Sequence, residues 1–101
     1  MRASVDVLRQ LKQRLTDEHV EIQREISHGN TWSLYFADPE GNGIECFVDT
    51  PFHVSQPQGK PTDIDLDDEA LLSKTAADFA GEPEFGDYAD WQNRFRRSLK
   101  A

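Results

Sequence analysis

Residues 31–49 constrain this chain more than any other stretch, because two alternating runs there flank a six-residue block of turn formers. From Thr31 to Ala37, Trp32, Leu34 and Phe36 fall on one side of an extended strand, and Thr31, Ser33, Tyr35 and Ala37 on the other. In Asp38-Pro39-Glu40-Gly41-Asn42-Gly43, Pro39 presets φ, and Gly41, Asn42 and Gly43 accept the positive φ of a tight reversal. Alternation then resumes, with Ile44, Cys46 and Val48 on one face and Glu45 and Phe47 on the other. A hairpin folded symmetrically about Glu40 sets Tyr35 across from Glu45, a phenol beside a carboxylate. A mid-strand carboxylate among apolar neighbours calls for a partner, such as a metal, an arginine or a protonated donor.

Around this hairpin the chain reads as α+β. Residues 4–18 form an amphipathic helix with Ser4 as N-cap and Val7, Leu8, Leu11 and Leu15 on one stripe. Val20, Ile22 and Ile26 then alternate with Glu21, Gln23 and Glu25, giving a half-solvated strand in which Arg24 interrupts the apolar series as it would at a sheet edge. Beyond Thr50-Pro51 lies a proline-rich arm, followed by a second alternating run, Thr62-Asp63-Ile64-Asp65-Leu66. Asp67-Asp68-Glu69 starts a helix with Leu71, Leu72 and Phe79 on its apolar face, closed by Gly81 and Pro83. A last helix runs from Tyr88 to Leu99 behind Asp87, with Trp91, Phe95 and Leu99 as a packing stripe and Arg94, Arg96, Arg97 and Lys100 toward its end.

The 101 residues suffice for one domain with a small core. With 11 basic against 19 acidic side chains, the net charge of −8 argues against nucleic acid or an anionic membrane as partner. Cys46 is the single cysteine and reads as an apolar filler, so no disulfide scaffold is expected. Met1-Arg2-Ala3-Ser4 leads into the amphipathic helix rather than a signal-peptide core, and a cytoplasmic protein is the expectation.

The run Tyr35-Phe36-Ala37-Asp38-Pro39-Glu40-Gly41-Asn42-Gly43-Ile44-Glu45 resembles the Y-F-x-D-P-x-G-N-x-x-E signature of the vicinal oxygen chelate superfamily. That superfamily includes glyoxalase I, bleomycin-resistance proteins and the type I extradiol ring-cleavage dioxygenases. The continuation Asp49-Thr50-Pro51-Phe52, a proline-rich stretch and then Asp63-Ile64, is similar to the tail of dioxygenases acting on biphenyl-diol-like catechols. By this resemblance Glu45 matches a metal ligand and Tyr35 a residue that hydrogen-bonds a substrate or metal-bound oxygen. The family's acid–base histidine lies nine residues before that tyrosine. Here that position is Ile26, and His28 stands seven before Tyr35. His28 is carried as a candidate catalytic residue beside Tyr35. Neither His19 nor His53 has motif support.

The superfamily's unit is strand–helix–strand–strand–strand, and residues 1–50 supply its last four elements. The resemblance therefore implies a truncated βαβββ module, with residues 51–101 as an arm and helices packing on it or on a partner. The strand bearing Glu45 is expected at the sheet edge, to be paired by a second copy, by a missing N-terminal module or by the chain's own tail. Fe(II) or another divalent metal would have one carboxylate and no matching imidazoles in this chain. Two functions follow from the resemblance: an incomplete metal-dependent extradiol dioxygenase or glyoxalase-like module, or a non-enzymatic module binding a small aromatic ligand as a homo-oligomer.

Overall fold

The computed structural model describes residues 4–100; Met1, Arg2 and Ala3, read above as a lead-in, lie outside it, as does the side chain of Lys100. Helix α1 (Val5–Asp17) starts where Ser4 Oγ accepts the amide of Val7, and Asp6 and Arg14 complement its dipole. Leu8 and Leu15 are buried and Leu11 packs beside them. Val7 does not join that stripe and is 52% exposed, because it sits roughly 70° round the helix from the stripe's centre.

Strands β1 (Ile22–Ser27), β2 (Thr31–Ala37) and β3 (Gly43–Asp49) form the expected antiparallel meander. The arm then forms β4 (Phe52–His53) and β5 (Lys60–Pro61). Because β5 pairs with β1, the sheet has four strands in the order β3-β2-β1-β5 rather than three. The chain's own tail thus covers the β1 edge, and β3 stays at the opposite edge. Later, β6 (Gly86–Asp87) pairs with β4 in a small second sheet.

The alternation expected for β1 fails midway. Ile22 pairs with Phe36, but Arg24 pairs with Tyr35, so a bulge between them switches which side chains face which way. Past it, Arg24 and Ile26 share the face of Tyr35 and Ser33, while Glu25 and Ser27 share that of Leu34 and Trp32. Glu25 tolerates that inner face because Lys12 reaches both its oxygens at 3.0 Å and the Ile64 amide donates to it at 2.9 Å. Nor is Arg24 on an edge strand, since β1 lies between β2 and β5.

Residues expected to alternate between Thr62 and Leu66 form a turn instead. The Leu66 amide bonds the Asp63 carbonyl, and the Asp65 amide bonds Asp63 Oδ1. Arg9 fixes this turn from α1 by donating to the carbonyls of Ile64 (2.6 Å) and Leu66 (2.7 Å) and to Asp68 (2.7 Å). Helix α2 (Asp68–Phe79) follows, its N-cap Asp67 accepting from Ala70. The core draws on both halves of the chain: Leu8, Trp32, Leu34, Val48, Ile64 and Leu71 form one buried cluster. Trp32 Nε1 donates to Thr75 Oγ1 at 2.9 Å, tying β2 to α2 inside it. Helix α3 (Tyr88–Lys100) begins where Asp87 Oδ1 accepts the amides of Ala89 and Asp90. Among the described residues no helix is long and apolar enough to cross a membrane.

Candidate functional site

Local chemistry in the hairpin sets the site's geometry. The Asp38 carboxylate accepts the amides of Glu40 and Asn42 and the side-chain amide of Asn42, while Gly41 takes φ +87°. Those bonds, led by that of the Asn42 side chain, hold the Asp38 carboxyl below its ordinary range. So pinned, the hairpin pairs Tyr35 directly with Glu45, as the sequence predicts. The Tyr35 hydroxyl donates to Glu45 Oε2 at 2.8 Å.

His28 reaches the same hydroxyl from the preceding turn. Its amide bonds the Thr31 carbonyl, and the turn passes through Gly29 at φ +81°. A side chain at Gly29 would meet Val54 Cγ1 at 2.5 Å, so this corner requires glycine on two grounds. From here His28 Nε2 lies 2.8 Å from Tyr35 Oη and 3.7 Å from Glu45 Oε2. The arm orients the ring from behind, with the Gln58 carbonyl 2.6 Å from Nδ1 and Gln56 Nε2 bonded to the His28 carbonyl. The three residues singled out in the sequence, Glu45, Tyr35 and His28, therefore form one hydrogen-bonded chain. His19 and His53 stay apart: His19 ends α1 at φ 60° and His53 stacks on Trp91.

Proton counting shows what this chain can do. A carbonyl only accepts, so His28 Nδ1 carries a hydrogen toward Gln58. With a neutral imidazole and an ionised Glu45, the phenol's single hydrogen would have to serve both Nε2 and Oε2. Both contacts form together only when one more proton sits on Nε2 or on the carboxylate. The His28 and Glu45 ends of this hydrogen-bonded chain lie 3.7 Å apart. Burial pushes the Tyr35 phenol above its ordinary range, helped by its bond to Glu45 and that residue's charge; Arg24 and Ser33 pull the other way.

Arg24 is the site residue that sequence reasoning missed. Its guanidinium lies 4.6 Å from the centre of the Tyr35 ring, delivered there by the bulge. Gln58 was also missed, since it acts through its backbone. Around the triad the face is open: Glu45 is 40% exposed in its side chain and Phe47, on the same face, 57%. Cys46 faces the other way and packs beside the core.

The donor set among the described residues does not make up a complete metal centre. Among the described residues no three His, Cys, Asp or Glu side chains converge as ligands. Glu45 Oε2 is taken by Tyr35, leaving Oε1 without a partner among the described residues. Compared with models of known families, with curated proteins and with solved structures, the chain matches none.

Proposed function

We propose that the outer sheet face is half of a small-ligand site of the vicinal oxygen chelate type, and that this chain binds a hydroxylated aromatic molecule there rather than turning it over alone. The hydrogen-bonded chain His28–Tyr35–Glu45 carries this reading, because it sets a proton donor, a proton acceptor and a free carboxylate oxygen on an exposed surface beside Phe47. A catechol hydroxyl can donate to Glu45 Oε1 while its ring lies against Phe47, with Arg24 close enough to favour a ligand that has lost a proton. The order α1-β1-β2-β3 follows the last four elements of the βαβββ unit, and β3 lies at the sheet edge as that unit requires before a further strand is added. A second copy or another module pairing there would complete the half-site.

The dioxygenase-like or glyoxalase-like reading requires more. Fe(II) or another divalent metal would find one carboxylate in Glu45, and the imidazoles would have to come from the added module. The spent oxygen of Glu45 and the lack of converging donors among the described residues favour the non-enzymatic form.

Anaerobic calorimetric titration with catechol, and separately with Fe(II) and Mn(II), tests both readings on the native chain, Tyr35→Phe and Glu45→Ala. The binding reading expects saturable catechol binding, weakened at least tenfold in each variant, without a metal. Metal binding tighter than roughly 10 μM (about 7 kcal/mol) and lost in Glu45→Ala would establish the metal reading instead. Catechol binding equal in all three proteins would sink the proposed site.

A further inference from the structure

His28, Tyr35 and Glu45 bring three atoms that can ligate a metal close together: an imidazole nitrogen, a phenol oxygen and a carboxylate oxygen. His28 Nε2 and Glu45 Oε2 each lie 2.8 Å from Tyr35 Oη and 3.7 Å from one another. A first-row metal ion set about 2.1 Å from all three would sit about 1 Å out of their plane. Its angles would be about 84° between Tyr35 and either partner and about 124° between those two, near those of a five-coordinate ion with Tyr35 axial. Among the described residues, His, Cys, Asp and Glu alone make no such cluster; the phenol completes this one.

The surroundings suit such an ion. His28 gives the hydrogen on Nδ1 to the Gln58 carbonyl, 2.6 Å away, which turns the Nε2 lone pair toward Tyr35 and Glu45. The single phenol hydrogen cannot then serve both Nε2 and Oε2, and a cation among the three atoms removes that conflict. Ser33 stands two residues before Tyr35 on the same face of β2. It is wholly buried, and its hydroxyl has no partner among the described residues. That hydroxyl is near enough to act on the Tyr35 oxygen, and an ionised phenol would accept its hydrogen.

We propose that the triad binds ferric iron, a trivalent and oxygen-preferring ion, through His28 Nε2, the Tyr35 phenolate and Glu45 Oε2. Binding exchanges the phenol hydrogen for the metal: the O–H bond breaks, an oxygen–iron bond forms, and the proton leaves to solvent with no change of oxidation state. A divalent ion offsets the loss of that proton less well, which sets this site apart from the Fe(II) and Mn(II) reading. The phenolate and the carboxylate balance two of the iron's charges. Arg24, 4.6 Å from the centre of the Tyr35 ring, adds positive charge beside them, so the remaining coordination positions favour anions. Glu45 and Phe47 leave this part of the face open for an anion to enter. The iron site does not rest on the aromatic-ligand proposal, although an ionised catechol is an anion of the kind it would take.

Visible absorbance of the full chain titrated with the nitrilotriacetate complex of Fe(III) tests it, because iron on a phenolate gives a charge-transfer band that iron on carboxylates or imidazoles lacks. The native chain should develop the band to a stoichiometric end point. Tyr35→Phe should abolish it, and Tyr88→Phe, which removes the other tyrosine, should keep it. His28→Ala and Glu45→Gln should each raise the dissociation constant at least tenfold, with circular dichroism unchanged. No band in the native chain would overturn the inference, as would a band that follows Tyr88 rather than Tyr35. Iron held equally by the native chain, Tyr35→Phe, His28→Ala and Glu45→Gln would mark adventitious binding at surface acids and overturn it too. Catechol calorimetry with a chelator present measures the aromatic-ligand proposal by itself, so either can fail without the other.

Discussion

Glu25 and Glu45 are both mid-strand carboxylates of one sheet, and they face opposite sides of it. Glu25 looks inward, with its side chain 17% exposed, and three bonds from two donors fill its oxygens: Lys12 on both and the Ile64 amide on one. Glu45 looks outward, 40% exposed, with one bond from Tyr35 and one oxygen left over. A carboxylate that is fully satisfied has become architecture. One that is half satisfied on an exposed part of the face keeps an oxygen open to a further donor, so the two carboxylates differ in what they leave unmade.

Substitutions at neighbouring positions test that division most sharply. Leu34→Ala empties a fully buried position and should cost about 4 kcal/mol of unfolding free energy in urea titrations. Tyr35→Phe, one residue along on the other face, should cost under about 1 kcal/mol. Similar losses at the two positions would abolish the distinction between the faces. Removing the inner cation comes next. Lys12→Met strands Glu25 and should cost about 3 kcal/mol, much of it recovered by adding Glu25→Leu. Glu45→Gln should stay within about 1 kcal/mol of native.

The smallest effect concerns protons. In a Tyr88→Phe background only Tyr35 titrates by ultraviolet absorbance, and its ionisation should lie above the ordinary value of about 10. Because burial and Glu45 raise that value in the folded chain, the stability it contributes is present below about pH 10 and is lost as pH rises through the folded value. In Glu45→Gln the ionisation should move down toward the ordinary value. No movement would mean that the Tyr35–Glu45 bond is not formed in solution.

Much of the site was legible because turn chemistry acts locally. Asp38, Gly41 and Asn42 fix a reversal, and a fixed reversal dictates that Tyr35 faces Glu45. The N-caps Ser4 and Asp87 were legible for the same reason, whereas Asp67 read as a first-turn acid and is the N-cap of α2. What escaped depends on contacts distant in sequence. Lys60–Pro61 pairs with β1 although Gln58-Gly59-Lys60-Pro61 reads in the sequence as a break in the extended arm. The turn at Ile64 is held by Arg9, 55 residues away. His28 could be nominated, but its bond to Tyr35 requires the Gly29 corner and the Gln58 carbonyl, and neither carries a side-chain signal.

The bulge in β1 amounts to a shift of reading frame in three dimensions. An alternating strand is read in twos, and one supernumerary residue between Ile22 and Arg24 moves every later side chain to the opposite register. Were the same sequence paired without a bulge, Gln23 would take the place opposite Tyr35, Glu25 would fall on the face of Tyr35 and Arg24 would turn toward Lys12, setting like charges on both sides of the sheet. A one-residue deletion at Gln23 would therefore close the bulge yet keep Arg24 opposite Tyr35 and Glu25 opposite Leu34, so the two faces would keep their occupants.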